Sequence, residues 1–312
     1  MKICVSVDMD NYREYRHLVD RGGDGGSARS FYDDALPRFL DAFDRHAVRG
    51  TFFMVGCDAE VSSHRAIVQE VVRRGHEVGN HSWSHPYNLR RLSRAAKEQE
   101  IVRAELAIAD IAGVRPVGFR CPSGELDSEI FGILEERGYL YDSSVYPTWF
   151  LWLFMAYGKL FVRHADYALG QPEVALAPRR PYWPAAEQVH RERRPGEPRG
   201  PRVVEIPHSV TAGGLPLYAT LFRLLPQPAL ALALRLHSRE PVRMLFHLLD
   251  LADLSGTALE RALGRTPGVR VAFERRKRFV DEALARLAAR GEAVPLRELA
   301  QELHAKACAD AA

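Results

Sequence analysis

Alternating strand and helix patterns over more than 130 residues predict an α/β protein with a parallel sheet, either open and doubly wound or closed as a (β/α) barrel. Three observations carry this. Short apolar runs alternate with helical periodicities, glycines close the helical stretches, and the polar candidates fall just after the strand-like runs, where both architectures place their chemistry.

The first strand is read at Ile3 to Val7, ahead of a Gly-rich loop from Arg21 to Ser27. In the following FYDDALPRFLDAFDRHAVRG, apolar positions 35, 36, 39, 40 and 43 recur at helical spacing, and Gly50 closes the unit. TFFMVG reads as a buried strand, HRAIVQEVVRRG as a helix, and HEVGNHSW as a third strand entering a loop at Pro86. The next helix starts behind Ser93, a good N-cap; GFRCPSG ends a fourth strand, and SEIFGILEERG leads into YLYDSS. From about 143 to 202 the pattern breaks into an aromatic patch and a Pro/Arg-rich stretch, which reads as an insertion into a single domain spanning 1–312. VVEIPHSV and VRMLFHLLDL resume the scaffold, separated by an apolar helical segment near 217 to 237, and residues 273 to 290 form the last long helix.

The chain has 312 residues with 46% hydrophobic and 27% charged, a globular composition. A net charge of +3 gives no electrostatic case for a nucleic-acid partner. Only five of the 43 basic residues are lysine, so the arginines reflect base composition more simply than phosphate binding. Cys4, Cys57, Cys121 and Cys308 contain no CxxC pair, which fits a reducing compartment. MKICVSVDMDN reaches two carboxylates too early for a secretion signal, so the cytoplasm is the expected compartment. The longest apolar run, Trp149 to Tyr157, is too short to span a bilayer.

Asp8 and Asp10 are two apart on a strand and share a face, so one carboxylate can hold a metal while the other stays free. His81 and His85 have no glutamate between them, and Pro86 disfavours helical geometry at His85, so they read as loop ligands. Two imidazoles and one carboxylate suit hydrolytic zinc and also non-haem iron. Arg120, at the end of a buried strand, is placed to orient a carboxylate.

VDMD at 7–10, HSWSH at 81–85, RCPSG at 120–124 and MLFH at 244–247 together resemble the successive motifs of the polysaccharide deacetylase (NodB-homology) family. The resemblance runs from 1 to about 142 and resumes from about 203 to 300. It implies a deformed (β/α) barrel with a central insertion, and metal-dependent hydrolysis of an N-acyl amino sugar. In that family's scheme Asp10, His81 and His85 hold one divalent ion, with zinc expected and Co, Ni, Mn or Fe as alternatives. Asp8 is the general base, Arg120 its orienting partner, the Ser123 backbone N–H an oxyanion donor and His247 the general acid. The DxD form of the first motif resembles the branch containing lipid-linked sugar deformylases and imidase-like or peptidoglycan deacetylases. Asp142, Asp250 and Asp253 are candidates to support His247.

The first reading is therefore deacetylation or deformylation of an amino sugar. The alternatives are an amidohydrolase acting on a small cyclic amide or ureide, and a carbohydrate-binding module without catalysis. The patch at 149–161 and the apolar segment 206–234 read most simply as core or as a homo-oligomer interface. The sharper reading is a surface for a lipid-linked sugar, with peripheral contact at the inner membrane face.

Overall fold

The computed structural model describes residues 1–18, 30–150, 152, 171–226, 228–237, 241–257, 260 and 271–310. Strands β1 (Lys2–Asp8), β2 (Thr51–Met54), β3 (Glu77–Asn80), β4 (Gly118–Phe119), β5 (Tyr141–Asp142), β6 (Val204–Glu205), β7 (Val242–His247) and β8 (Glu292–Ala293) form one parallel sheet. Its order is β6-β5-β4-β3-β2-β1-β7, with β8 on the start of β1. Consecutive strands joined by helices can pair this way only if the chain winds in one sense, and the sheet curls into a half-barrel.

Between β6 and β7 the circuit is completed by irregular chain. The Ser209 N–H donates to the Arg243 carbonyl at 3.2 Å, the Arg243 N–H donates to Ser209 Oγ at 2.9 Å, and Tyr218 bridges Leu245 in the parallel sense. The barrel is deformed here because Pro207, Gly213, Gly214 and Pro216 interrupt any regular ladder.

Helices α1 (Phe31–Arg45), α2 (Arg65–Arg73), α3 (Arg94–Ala112) and α4 (Ser128–Glu136) follow the early strands at the predicted places. Ser30 caps α1, Ser93 caps α3 through the Ala96 N–H, and Asp127 caps α4 through the Ile130 N–H. The periodic face of α1 is buried, with Phe39 edge-on to Phe246 at 6.0 Å and Phe43 against Phe52 at 5.4 Å. Gly118 in β4 has a packing reason, since a Cβ there would overlap the Tyr141 ring.

Two sequence expectations change. The apolar stretch near 217–237 is not one helix but α5 (Ala219–Leu224) and α6 (Pro228–Leu236), because Pro226 and Pro228 cannot continue the helical ladder. Helix α7 (Phe273–Ala288) is not the last: α8 (Leu296–Ala309) follows β8. Its Leu296, Leu299 and Ala300 pack on Cys4, Phe53, Tyr141, Val204 and Ile206. Its N-terminus is anchored by buried side chains: Thr51 Oγ1 accepts from the Leu296 N–H at 2.8 Å and Glu77 from the Arg297 N–H at 2.9 Å.

Candidate active site

The strand register sets the site. Asp8 lies level with His247 across the β1–β7 ladder and with Phe53 across β1–β2. Asn80, Phe119, Asp142 and Glu205 form the next level around the sheet, so His81, Arg120 and Ser143 emerge together one residue further on. Residues distant in sequence thus meet above the carboxyl ends of the strands.

Asp10, His81 and His85 are buried, and one ligand atom from each lies within 4.8 Å of the others. Both histidine Nε2 atoms are 3.5 Å from Asp10 Oδ1, and that oxygen has no hydrogen-bond partner. A buried oxygen facing two ring nitrogens and left unsatisfied is what a cation position requires. His81 Nδ1 donates to the Arg120 carbonyl at 2.7 Å, which fixes the proton on Nδ1 and points the Nε2 lone pair toward Asp10. The donor set and the orphaned oxygen fit a divalent ion held by these three side chains.

Electrostatics differ among the three ligands. Burial opposes ionisation of Asp10, but His85, His81 and His247 together outweigh it and hold the carboxyl well below its usual range. Burial pushes His85 down to about 4, keeping its ring neutral as a ligand must be. At His81 burial is overcome by Asp8 and Asp10, which raise the ring above its ordinary value.

The loop carrying the histidines is built by its neighbours. Asn80 accepts from the Ser82 N–H at 2.9 Å and donates to the Ile101 carbonyl and the Tyr139 hydroxyl. Glu100 on α3 accepts from the Trp83 and Ser84 N–H groups at 3.0 and 2.8 Å. Ser82 and His85 have φ of 62° and 56°, a left-handed turn that aims both rings inward.

Asp8 stands beside this cluster and is held differently. Arg120 donates to its Oδ1 at 2.5 Å, while Asp8 Oδ2 faces His247 Nε2 at 3.8 Å and His81 Nε2 at 3.9 Å. Arg120 is 3% exposed, donates to the Ser143 carbonyl and hydroxyl, and lies over the Phe53 ring at 4.1 Å. Ser143 itself sits against β4 and β5, inside the stretch where the sequence pattern breaks.

His247 packs edge-on to the Tyr218 ring at 5.4 Å. Of the three aspartates considered for its support, Asp250 accepts the His247 backbone N–H at 2.9 Å and pairs with buried Arg223 at 2.6 Å. Asp142 bonds Ser144, and Asp253 caps Ser255, so neither reaches it. Ser123 is exposed with φ of 61° on the turn after Arg120. Sequence reasoning missed Tyr15, whose hydroxyl is 3.5 Å from Asp10 Oδ2, and Tyr218, Asn80 and Glu100. Only Asn80, directly before His81, carried a signal in the sequence.

Comparison with known proteins agrees with this geometry. The polysaccharide deacetylase family model matches residues 24–141. Over these residues the chain is similar to that family. It is 36% identical over 90 residues to a Bacillus cereus peptidoglycan-N-acetylglucosamine deacetylase, covering 29% of this chain and 32% of that protein. A Helicobacter pylori peptidoglycan deacetylase is 28% identical over 136 residues, 43% of this chain and 44% of the relative. The match thus spans about a third of the Bacillus cereus relative and under half of the other. A crystal structure assigned to a Mycobacterium smegmatis polysaccharide deacetylase superposes with a TM-score of 0.61 at 20% identity, covering 98% of this chain and 90% of that one. The deformed-barrel fold expected from the sequence is therefore the fold observed.

Proposed function

We propose that this protein is a metal-dependent N-deacylase of an amino sugar, with Asp10, His81 and His85 as the ligands. The observation that carries the reading is the orphaned Asp10 oxygen facing two Nε2 atoms beside an arginine-clamped second aspartate. A divalent ion held there, with zinc the first expectation, supplies Lewis acidity toward an acyl oxygen and makes water more acidic.

The chain's own residues divide the remaining work. Asp8 keeps one oxygen on Arg120 and turns the other toward the cluster, the position for taking a proton from attacking water. His247, whose Nε2 lies 3.8 Å from Asp8 Oδ2, delivers a proton to the departing nitrogen, because an amine does not leave as its anion. The Ser123 N–H is assigned to the developing oxyanion. Burial of Asp8, Asp10, His81, His85 and Arg120 strengthens their interactions by excluding water.

The acyl group is acetyl or formyl. A lipid carrier for the sugar is supported by exposed Trp149 and Trp152, at 43% and 45%; a cytoplasmic location at the inner membrane face belongs to the same proposal. The rest of that aromatic patch lies outside the described residues, and no helix among the described residues is long and apolar enough to cross a membrane. The deciding experiment joins metal analysis of the purified protein to an amine-release screen over acetylated and formylated amino sugars, free and lipid-linked. Release of amine that depends on bound metal supports the reading; ring opening of cyclic amides without amine release from any sugar refutes it. Sedimentation with anionic liposomes, weakened in Trp149→Ser/Trp152→Ser, tests the lipid component alone.

A further inference from the structure

Helices α5, α6 and α7 border a cavity of about 240 Å³ lined by four arginines, Arg223, Arg275, Arg278 and Arg286, and by none of Asp8, Asp10, His81, His85 or His247. Two of these charges are already answered. Arg223 pairs with Asp250 at 2.6 Å, and Arg286 with Glu282 at 3.1 Å. Arg275 and Arg278, one turn apart on α7, have no carboxylate partner among the described residues. The rest of the wall is Glu282, already paired with Arg286, and apolar side chains such as Phe222, Leu230 and Phe279.

Two solvent-exposed guanidiniums without a carboxylate partner at one concave site can take a dianion, because the planar donor fork of arginine matches phosphate oxygens in pairs. The volume is below the roughly 300–1,000 Å³ of pockets that enclose drug-sized ligands, so it suits a head group with its first few carbons. Helices α5 and α6 also leave Leu224, Leu232 and Leu236 exposed at 46%, 57% and 57%, apolar surface on two of the elements that border the cavity.

We propose that the α5–α6–α7 cavity is a binding site for a phosphate monoester, separate from the Asp10–His81–His85 centre and independent of the deacylase reading. Its donors are Arg275 and Arg278. The phosphate can come from a free phosphate compound or from a lipid head group whose chains rest on the exposed leucines.

The test uses the metal-loaded protein and calorimetric titration with three probes: inorganic phosphate, dioctanoyl phosphatidic acid below its aggregation concentration, and uncharged dioctanoylglycerol. Both phosphates should bind. Their affinity should fall roughly tenfold or more in Arg275→Gln/Arg278→Gln, the loss expected when charge-assisted hydrogen bonds are removed. Phosphatidic acid binding much more tightly than phosphate identifies a lipid source; equal affinities identify a free one. Amine release from a soluble acylated sugar should be unchanged in the variant, which separates this site from the catalytic one. Arg275→Ala alone, at an exposed position, serves if the double variant folds poorly. Undiminished phosphate binding in the folded variants, no phosphate binding by the parent protein, or dioctanoylglycerol binding as tightly as phosphatidic acid would overturn the proposal.

Discussion

Replacing Arg120 by Met probes the joint between fold and chemistry. The side chain is 3% exposed, clamps Asp8 at 2.5 Å, and donates to both the carbonyl and the hydroxyl of Ser143. Methionine fills much of the volume but leaves the Asp8 carboxylate and two Ser143 oxygens without their donor. Removing one partner of a buried ion pair costs about 3–5 kcal/mol. With an unfolding entropy of about 2.1 cal/mol/K per residue, that loss lowers the melting temperature of this 312-residue chain by about 5–8 °C. Turnover should fall by about 10²-fold or more, because the base loses its orientation. Asp8→Asn removes the stranded charge, so the double variant should be less destabilised than the sum of the two single variants. Arg120→Lys, with a point charge in place of the fork, should fall between parent and Met. Urea unfolding of the four proteins gives the cycle directly. Additive losses, or an Arg120→Met protein with parental stability and turnover, would refute the clamp.

His81→Ala should keep the far-ultraviolet circular dichroism of the parent and lose bound metal, measured by elemental analysis after gel filtration; full occupancy would remove His81 from the ligand set. Asp8→Asn and His247→Ala should retain metal while turnover falls by about 10²-fold or more in each, and near-normal rates in either variant would withdraw its role. Asp58 lies buried beside β2, where burial and then Glu14 raise its carboxyl from 3.8 to about 7. Because the folded value is raised, its stabilising effect is complete below about pH 4 and is lost as pH rises through about 7, an amount of up to about 4 kcal/mol. Asp58→Asn should therefore gain stability over the parent between pH 4.5 and pH 8; a difference that does not change with pH would contradict the shift.

The four motifs on the sequence named the chemistry because each sits at the end of an apolar run, and the strand period of two alone puts Asp8 and Asp10 on one face. Helices α1 to α4 were legible for a similar reason: the apolar spacing of α1, the Ser93 cap of α3 and the closing glycines are local features, whereas the Ser30 and Asp127 caps came from the structure. Helix α8 escaped because nothing local shows that its short apolar face closes the bottom of the barrel. The Arg120–Asp8 clamp joins residues 112 positions apart, and the level of Asp8 with His247 depends on β7 pairing with β1 across the whole chain. Asp250 was separated from Asp142 and Asp253 only by seeing which carboxylate met the His247 N–H. Composition likewise could not distinguish arginines that reflect base usage from the four that surround the α5–α6–α7 cavity. Residue identity fixes what a side chain can do; strand register and helix packing decide which side chains share a space, and those are properties of contacts between distant segments that no local pattern encodes.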